Sequence, residues 1–327
     1  MPPLSPAHVA GTPSRQDTLF SGIACGMGAG ALWGLVFLAP ELAREFSPLQ
    51  LTIGRYLCYG LIAAALIAPR WRSLTARIPQ RQWLNLLWIA FAGNTLYYIL
   101  LSSAVQLGGI AMTSLVIGFL PVAVTVIGSR DHGAIPFGKL LPSLLLCAAG
   151  AVCIGWQALA APATTSTGNQ MIGLLCAIGA LASWTAFAVG NARCLTQLEQ
   201  VSGHDWSLLT GIAAGAQSLV LIPLALILDT AQHSLSEWAR FGAVSVGIAV
   251  LASIIGNSLW NRMSRLLPLT LVGQMILFET VFALIYGLLW EQRLPTLLEM
   301  AALVFVMMSV VSCLAAHRRP VMIEAGA

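Results

Sequence analysis

Apolar runs of about twenty residues recur from one end of this chain to the other, and each is long enough to cross ~30 Å of hydrocarbon as a helix rising 1.5 Å per residue. Hydrophobic residues make up 58% of the 327 and charged residues only 9%, well below the roughly one quarter typical of a soluble domain. The chain therefore reads as an all-α polytopic membrane protein. Windows of about nineteen residues predict ten helices near 19 to 39, 48 to 69, 83 to 103, 108 to 129, 138 to 156, 171 to 191, 205 to 228, 238 to 260, 267 to 289 and 296 to 316. Residues 1–18 carry no apolar stretch with a cleavage site, so no removable leader is expected. They form an N-terminal tail, matched by a C-terminal tail over 317–327.

Short loops rich in Lys and Arg stay cytoplasmic. With the N-terminus inside, twelve of the sixteen basic residues fall on the cytoplasmic side; Arg44, Arg240 and Arg293 fall outside, and Arg55 is intramembrane. Both termini are thus expected in the cytoplasm. The formal charge of +4 follows from this bias and gives no reason to invoke nucleic acid. Seven cysteines with no Cys-x-x-Cys pair read as small hydrophobes, and the five histidines show no metal-ligand spacing, so no cofactor is expected.

The chain repeats itself. A shift of 151 superposes Trp33 on Trp184, and a shift of 159 superposes Leu107 on Leu266, Val122 on Val281 and Pro136 on Pro295. Two five-helix repeats result, over 19–156 and 171–316, joined by an outer loop at 157–170. Five is odd, so the repeats cross the membrane in opposite senses, as in many secondary transporters whose substrate site lies between them. Polar residues obey the same shift: Asn94, Tyr98 and Ser102 share one face of helix three, and Ser253, Asn257 and Asn261 share one face of helix eight. These stripes either hydrogen-bond helix to helix or line a common cavity.

Arg55 and Glu279 are the only formally charged residues well inside spans. An ionisable group at that depth costs roughly 2.5–3.5 kcal/mol on insertion scales and marks a transport path by default. The pair either closes permanently on itself or works: Arg55 receiving a carboxylate, Glu279 an amine or a proton. Trp33 and Trp184, repeat-equivalent, face lipid or line the cavity. Gln274, on the helix of Glu279, completes the candidate substrate-binding set. Gly22, Gly26, Gly30 and Gly34 recur every four residues, a face that lets another helix approach closely. Pro121 and Pro223 are expected to kink helices four and seven.

Ala31-Leu32-Trp33-Gly34, Ser47-Pro48 ahead of Arg55, Gly93-Asn94 followed by Tyr97-Tyr98, Leu120-Pro121, Glu279 and Glu291 stand in an order that resembles the drug/metabolite transporter superfamily, EamA type, over nearly the whole chain. Thr280 stands where the family usually has proline. The resemblance implies a ten-helix inverted-repeat carrier of a bacterial inner membrane, often an exporter of amino acids or other small metabolites. Without a phosphate-binding Gly-rich loop ending in Gly-Lys-Ser/Thr, coupling to protons or exchange is expected. Efflux of cationic or lipophilic toxic compounds is the alternative; a homodimer and a lipid-linked sugar substrate stay open. Motifs for nucleophilic or metal catalysis are missing, so the chain is not expected to be an enzyme.

Overall fold

In the computed structural model, residues 15–128, 136–159, 167–198, 200–290, 292 and 294–317 are described, and all of their regular structure is helical. The first half holds α1 (Arg15–Gly34), a 3-10 turn at Leu35–Phe37, α2 (Ala39–Leu42), α3 (Pro48–Ile67) and the short α4 (Trp71–Thr75). It continues with α5 (Gln80–Ala90), a π-helical segment at Phe91–Leu96, α6 (Tyr97–Ile117), α7 (Leu120–Gly128) and α8 (Phe137–Leu159). The second half holds α9 (Thr167–Gln197), α10 (Gly203–Leu228), α11 (Leu235–Ile248) and a second π-segment at Ala249–Gly256. Then follow α12 (Asn257–Leu266), α13 (Leu269–Met275), α14 (Leu277–Trp290) and α15 (Leu297–His317). Among the described residues six stretches are long and apolar enough to cross a membrane, and Phe137–Gly150, Leu277–Trp290 and Met300–Cys313 are shorter apolar helices.

The loop expected between the third and fourth spans, near 104–107, is helical: α6 runs through it to Ile117 and the chain breaks at Gly118–Phe119 instead. Pro121 accordingly sits in the first turn of α7, where its missing N–H leaves no bond unmade. The second half breaks close to the matching place, at Ile276 beside the 277–278 that a shift of 159 gives, so that α13 and α14 are separate pieces. This interruption exists without the proline that Thr280 replaces. Pro223 lies inside α10, which continues through it.

The halves interlock crosswise. In the first half α1 packs on α12 and α14; in the second, its counterpart α9 packs on α6 and α7. Two contacts join equivalent elements of the two halves, α3 with α10 and α8 with α15, while α7 packs on α13. At the α3–α10 crossing a Cβ built on either Gly60 or Gly215 would stand 2.8 Å from the other's Cα, so the two backbones touch. At the α8–α15 crossing the Ser143 hydroxyl donates to the Ser309 carbonyl at 3.0 Å and the Ser309 hydroxyl to the Ser143 carbonyl at 2.7 Å.

The four glycines of α1 make the remaining seam. A Cβ at Gly26 would lie 2.8 Å from the Met263 sulfur, at Gly30 2.8 Å from the Glu279 backbone nitrogen, and at Gly34 2.9 Å from the Ala283 nitrogen. At the last two positions the obstacle is backbone, which cannot rotate aside. In lipid, where helix association depends on close packing, this seam fixes α14 against α1 and so fixes where Glu279 stands. Gly30→Val is expected to lower the melting temperature by several degrees, consistent with overpacking costs of about 1–3 kcal/mol. Gly242→Ala, where an added Cβ meets nothing within 4 Å, should leave it unchanged or raised; thermal unfolding of the detergent-purified chain measures both.

Candidate functional site

Each π-segment leaves backbone carbonyls without their usual helical partners, and the opposite half supplies donors. Trp33 Nε1 on α1 donates to the Ala252 carbonyl at 3.1 Å, and the Ser183 hydroxyl on α9 donates to the Ala92 carbonyl at 2.7 Å. The Thr95 hydroxyl donates to Gln217 Oε1 at 2.6 Å. The polar stripes belong to these segments and the helices that continue them, so both turn inward together: Asn94, Tyr98, Ser102, Ser253 and Asn261 are all buried.

Arg55 joins the stripes. A capping box at Ser47, with the Gln50 N–H donating to Ser47 Oγ and the Ser47 N–H to Gln50 Oε1, starts α3 two turns before it. Its Nε donates to Ser253 Oγ at 3.0 Å, reaching the second half. Its guanidinium carbon lies 4.7 Å from the Tyr98 ring centre and 4.9 Å from that of Tyr56. Those two rings meet edge to face at 6.0 Å. The guanidinium is therefore held by a hydroxyl and two tyrosine rings, an arrangement that stabilises a desolvated cation.

Glu279 is 7% exposed, as is Arg55, and it lies in the first turn of α14 just past the Ile276 break. The two charges interact electrostatically but form no direct ion pair, and the Glu279 carboxylate accepts no hydrogen bond from the described residues. A buried carboxylate left in that state is costly, and a ligand or water that donates to it relieves the cost. Nearby, Asn94 Nδ2 and Ser102 Oγ are buried without hydrogen-bond partners. The sequence pattern thus brings Arg55, Tyr98, Asn94 and Glu279 into one interior region containing an acceptor and several donors still to be used.

The other candidates divide. Trp33 and Trp184 do not face lipid; with Trp260 they close a triangle with ring centres 5.7, 4.9 and 5.4 Å apart, extended by Tyr97 and Phe187 against Trp184. Asn257 accepts from Trp33 Nε1 at 3.2 Å and orients that ring. Asn261 is occupied elsewhere: it accepts from Asn191 at 2.8 Å and donates to the Gly203 carbonyl at 3.2 Å, while Asn191 accepts from Trp206 Nε1. Two turns beyond Ser253, or about 12 Å, it ties α12 to α9 and α10 rather than joining the Arg55 cluster. Gln274 is fully buried and accepts from the Ser309 hydroxyl at 3.0 Å, which places it at the α8–α15 seam. Glu291 lies outside the described residues. Sequence alone leaves Tyr56, Tyr97 and Trp260 open between lipid and cavity, and the structure buries all three; for Ser183 and Asn191 the sequence carries no such signal.

The model of the EamA-like transporter family matches residues 20–156 and again 171–314. The inner membrane protein YtfF of Escherichia coli (strain K12) is 32% identical over 311 residues, covering 90% of this chain and 94% of its own. A protein of known crystal structure, 19% identical, superposes with a TM-score of 0.69 over 90% of this chain and 98% of its own, a likeness of fold. Two matched repeats, a full-length relative and crosswise packing of the halves lead to one conclusion: the chain belongs to the EamA-like transporter family.

Proposed function

We propose that this chain is a secondary carrier of the bacterial inner membrane that exports a small polar metabolite, an amino acid or derivative, by alternating access. In this reading ten helices cross the membrane in two inverted repeats of five, and both termini are cytoplasmic, in keeping with the positive-inside bias. The carrying observation is the pairing of a braced Arg55 with a Glu279 carboxylate that accepts no hydrogen bond from the described residues. A zwitterion matches that pattern: its carboxylate takes the guanidinium, and its ammonium, or a proton in its absence, neutralises Glu279. Asn94 Nδ2 supplies a further donor.

Alternating access needs elements with two discrete arrangements. The breaks at 118–119 and at Ile276, with the two π-segments, provide such elements in matching places of both halves, the pattern that accompanies substrate sites in inverted-repeat carriers. The Trp33, Trp184 and Trp260 triangle draws α1, α9 and α12 together and would have to part for a path to open through it. That same aromatic wall beside an acid favours a second reading, efflux of cationic or lipophilic compounds held by Glu279 and the indole faces. Thermal stabilisation of the purified chain by amino acids, against polyamines and dyes, separates the two, because a ligand that prefers the folded state raises its melting point.

In proteoliposomes, Glu279→Gln is expected to abolish proton-driven flux while substrate exchange at equal pH survives; proton-driven flux at the wild-type rate would remove Glu279 from coupling. Arg55→Lys keeps the charge but loses the planar fork between the tyrosine rings. Its half-saturating substrate concentration should rise roughly tenfold or more, as for loss of a charge-assisted contact of about 1.5–3 kcal/mol, and an unchanged value would show that the guanidinium does not meet substrate.

A further inference from the structure

Away from the interior site, a cavity of about 260 Å³ opens between α5 of the first half and the end of α9 of the second. Among the described residues its lining includes two guanidiniums, those of Arg81 and Arg193. Both arginines are exposed, and Arg81 has no ion-pair partner among the described residues. A chain of amides builds the floor: Asn85 Nδ2 donates to Gln82 Oε1 at 2.9 Å, and Gln82 Nε2 donates to Gln197 Oε1 at 3.1 Å. That direction leaves the Gln197 amide nitrogen as a donor for an outside acceptor.

The cavity also has a gradient. Arg81 stands at the start of α5, and Trp88, which lines the other end, is seven residues or about 10 Å further along the helix. From there an apolar face continues: Leu84, Leu87, Trp88 and Phe91 are all exposed and share one side of the rod. Gly190 lies at this apolar end, and a Cβ added to it would meet nothing closer than Ile89 at 3.9 Å. Basic donors at the rim, an indole beneath them and an apolar track leading into hydrocarbon match one kind of molecule in order.

We infer that this cavity binds a phospholipid with a net-negative headgroup, of the phosphatidylglycerol type. The phosphate is held by Arg81, Arg193 and the Gln197 amide, and an acyl chain lies along the exposed face of α5. A soluble phosphate would use the same donors but leave the apolar track uncovered. Because α5 and α9 come from different halves, the lipid bridges them and favours the state in which their ends are together. The lipid composition of the membrane thereby biases the conformational equilibrium.

The test is thermal unfolding of the full chain, purified in detergent and stripped of lipid, with added phosphatidylglycerol, phosphatidylcholine or glycerol 3-phosphate. Phosphatidylglycerol should raise the melting temperature most and glycerol 3-phosphate least. The Arg81→Gln/Arg193→Gln variant should lose most of that increment. Gly190→Leu fills the cavity without removing a charge; it should lose the increment too, with a lipid-free melting temperature at or above the parent's, which keeps the test valid if the arginine variant does not fold. Equal shifts from phosphatidylcholine, or a full phosphatidylglycerol shift in Gly190→Leu, would overturn the site. A matching response to glycerol 3-phosphate would reassign it to a soluble phosphate and overturn the lipid.

Discussion

A guanidinium among membrane helices is tolerable only where protein supplies what water would, and the placement of Arg55 imposes that requirement on three elements at once. Ser253 must come from the second half, Tyr98 from the third rod, and Tyr56 from the turn of α3 that carries the arginine itself. The Ser47 cap sets the helical phase that aims the side chain inward, and the backbone contact of Gly60 with Gly215 sets how near the halves lie. Loosening any of these strands a charge.

Glu279 shows the opposite economy. Its backbone is pinned by Gly30 on α1, yet its carboxylate accepts no hydrogen bond from the described residues. In the proposed function such an acid on a rigid backbone is a binding element held ready, since the free energy of relieving it would be realised only when ligand or proton arrived. Carbonyls released by the π-segments are taken by Trp33 and Ser183 from the opposite halves, so these bonds tie the halves together where the helices are irregular.

Much of this was legible in the sequence because it rests on local quantities. Hydropathy gives the long apolar stretches, a period of four gives the glycine seam and the polar stripes, and the absence of other intramembrane charge singles out Arg55 and Glu279. What escaped depends on partners distant along the chain. Nothing near Ala252 announces a π-segment, and the Trp33 N–H that its carbonyl accepts is 219 positions away. The loop expected near 104–107 is helical, with α6 running through it, whereas the second half does end a helix at Leu266 because Leu267, before Pro268, is held extended at φ −117°, ψ 146°. Asn261 and Gln274 were chosen for polarity inside a span, a property shared by ligand-binding residues and by residues that fasten helices. Their structural bonds to Asn191 and Ser309 could be seen only once the helices were placed.

Everything functional rests on position 279 facing a watery space that substrate also enters. The direct measurement is modification of a Glu279→Cys variant, in a chain whose seven native cysteines are replaced, by a water-soluble thiol reagent in membranes. Reaction that slows when transported substrate is present is the expected result. A thiol reached only by lipid-soluble reagents, or one whose rate ignores saturating substrate, would contradict a shared site.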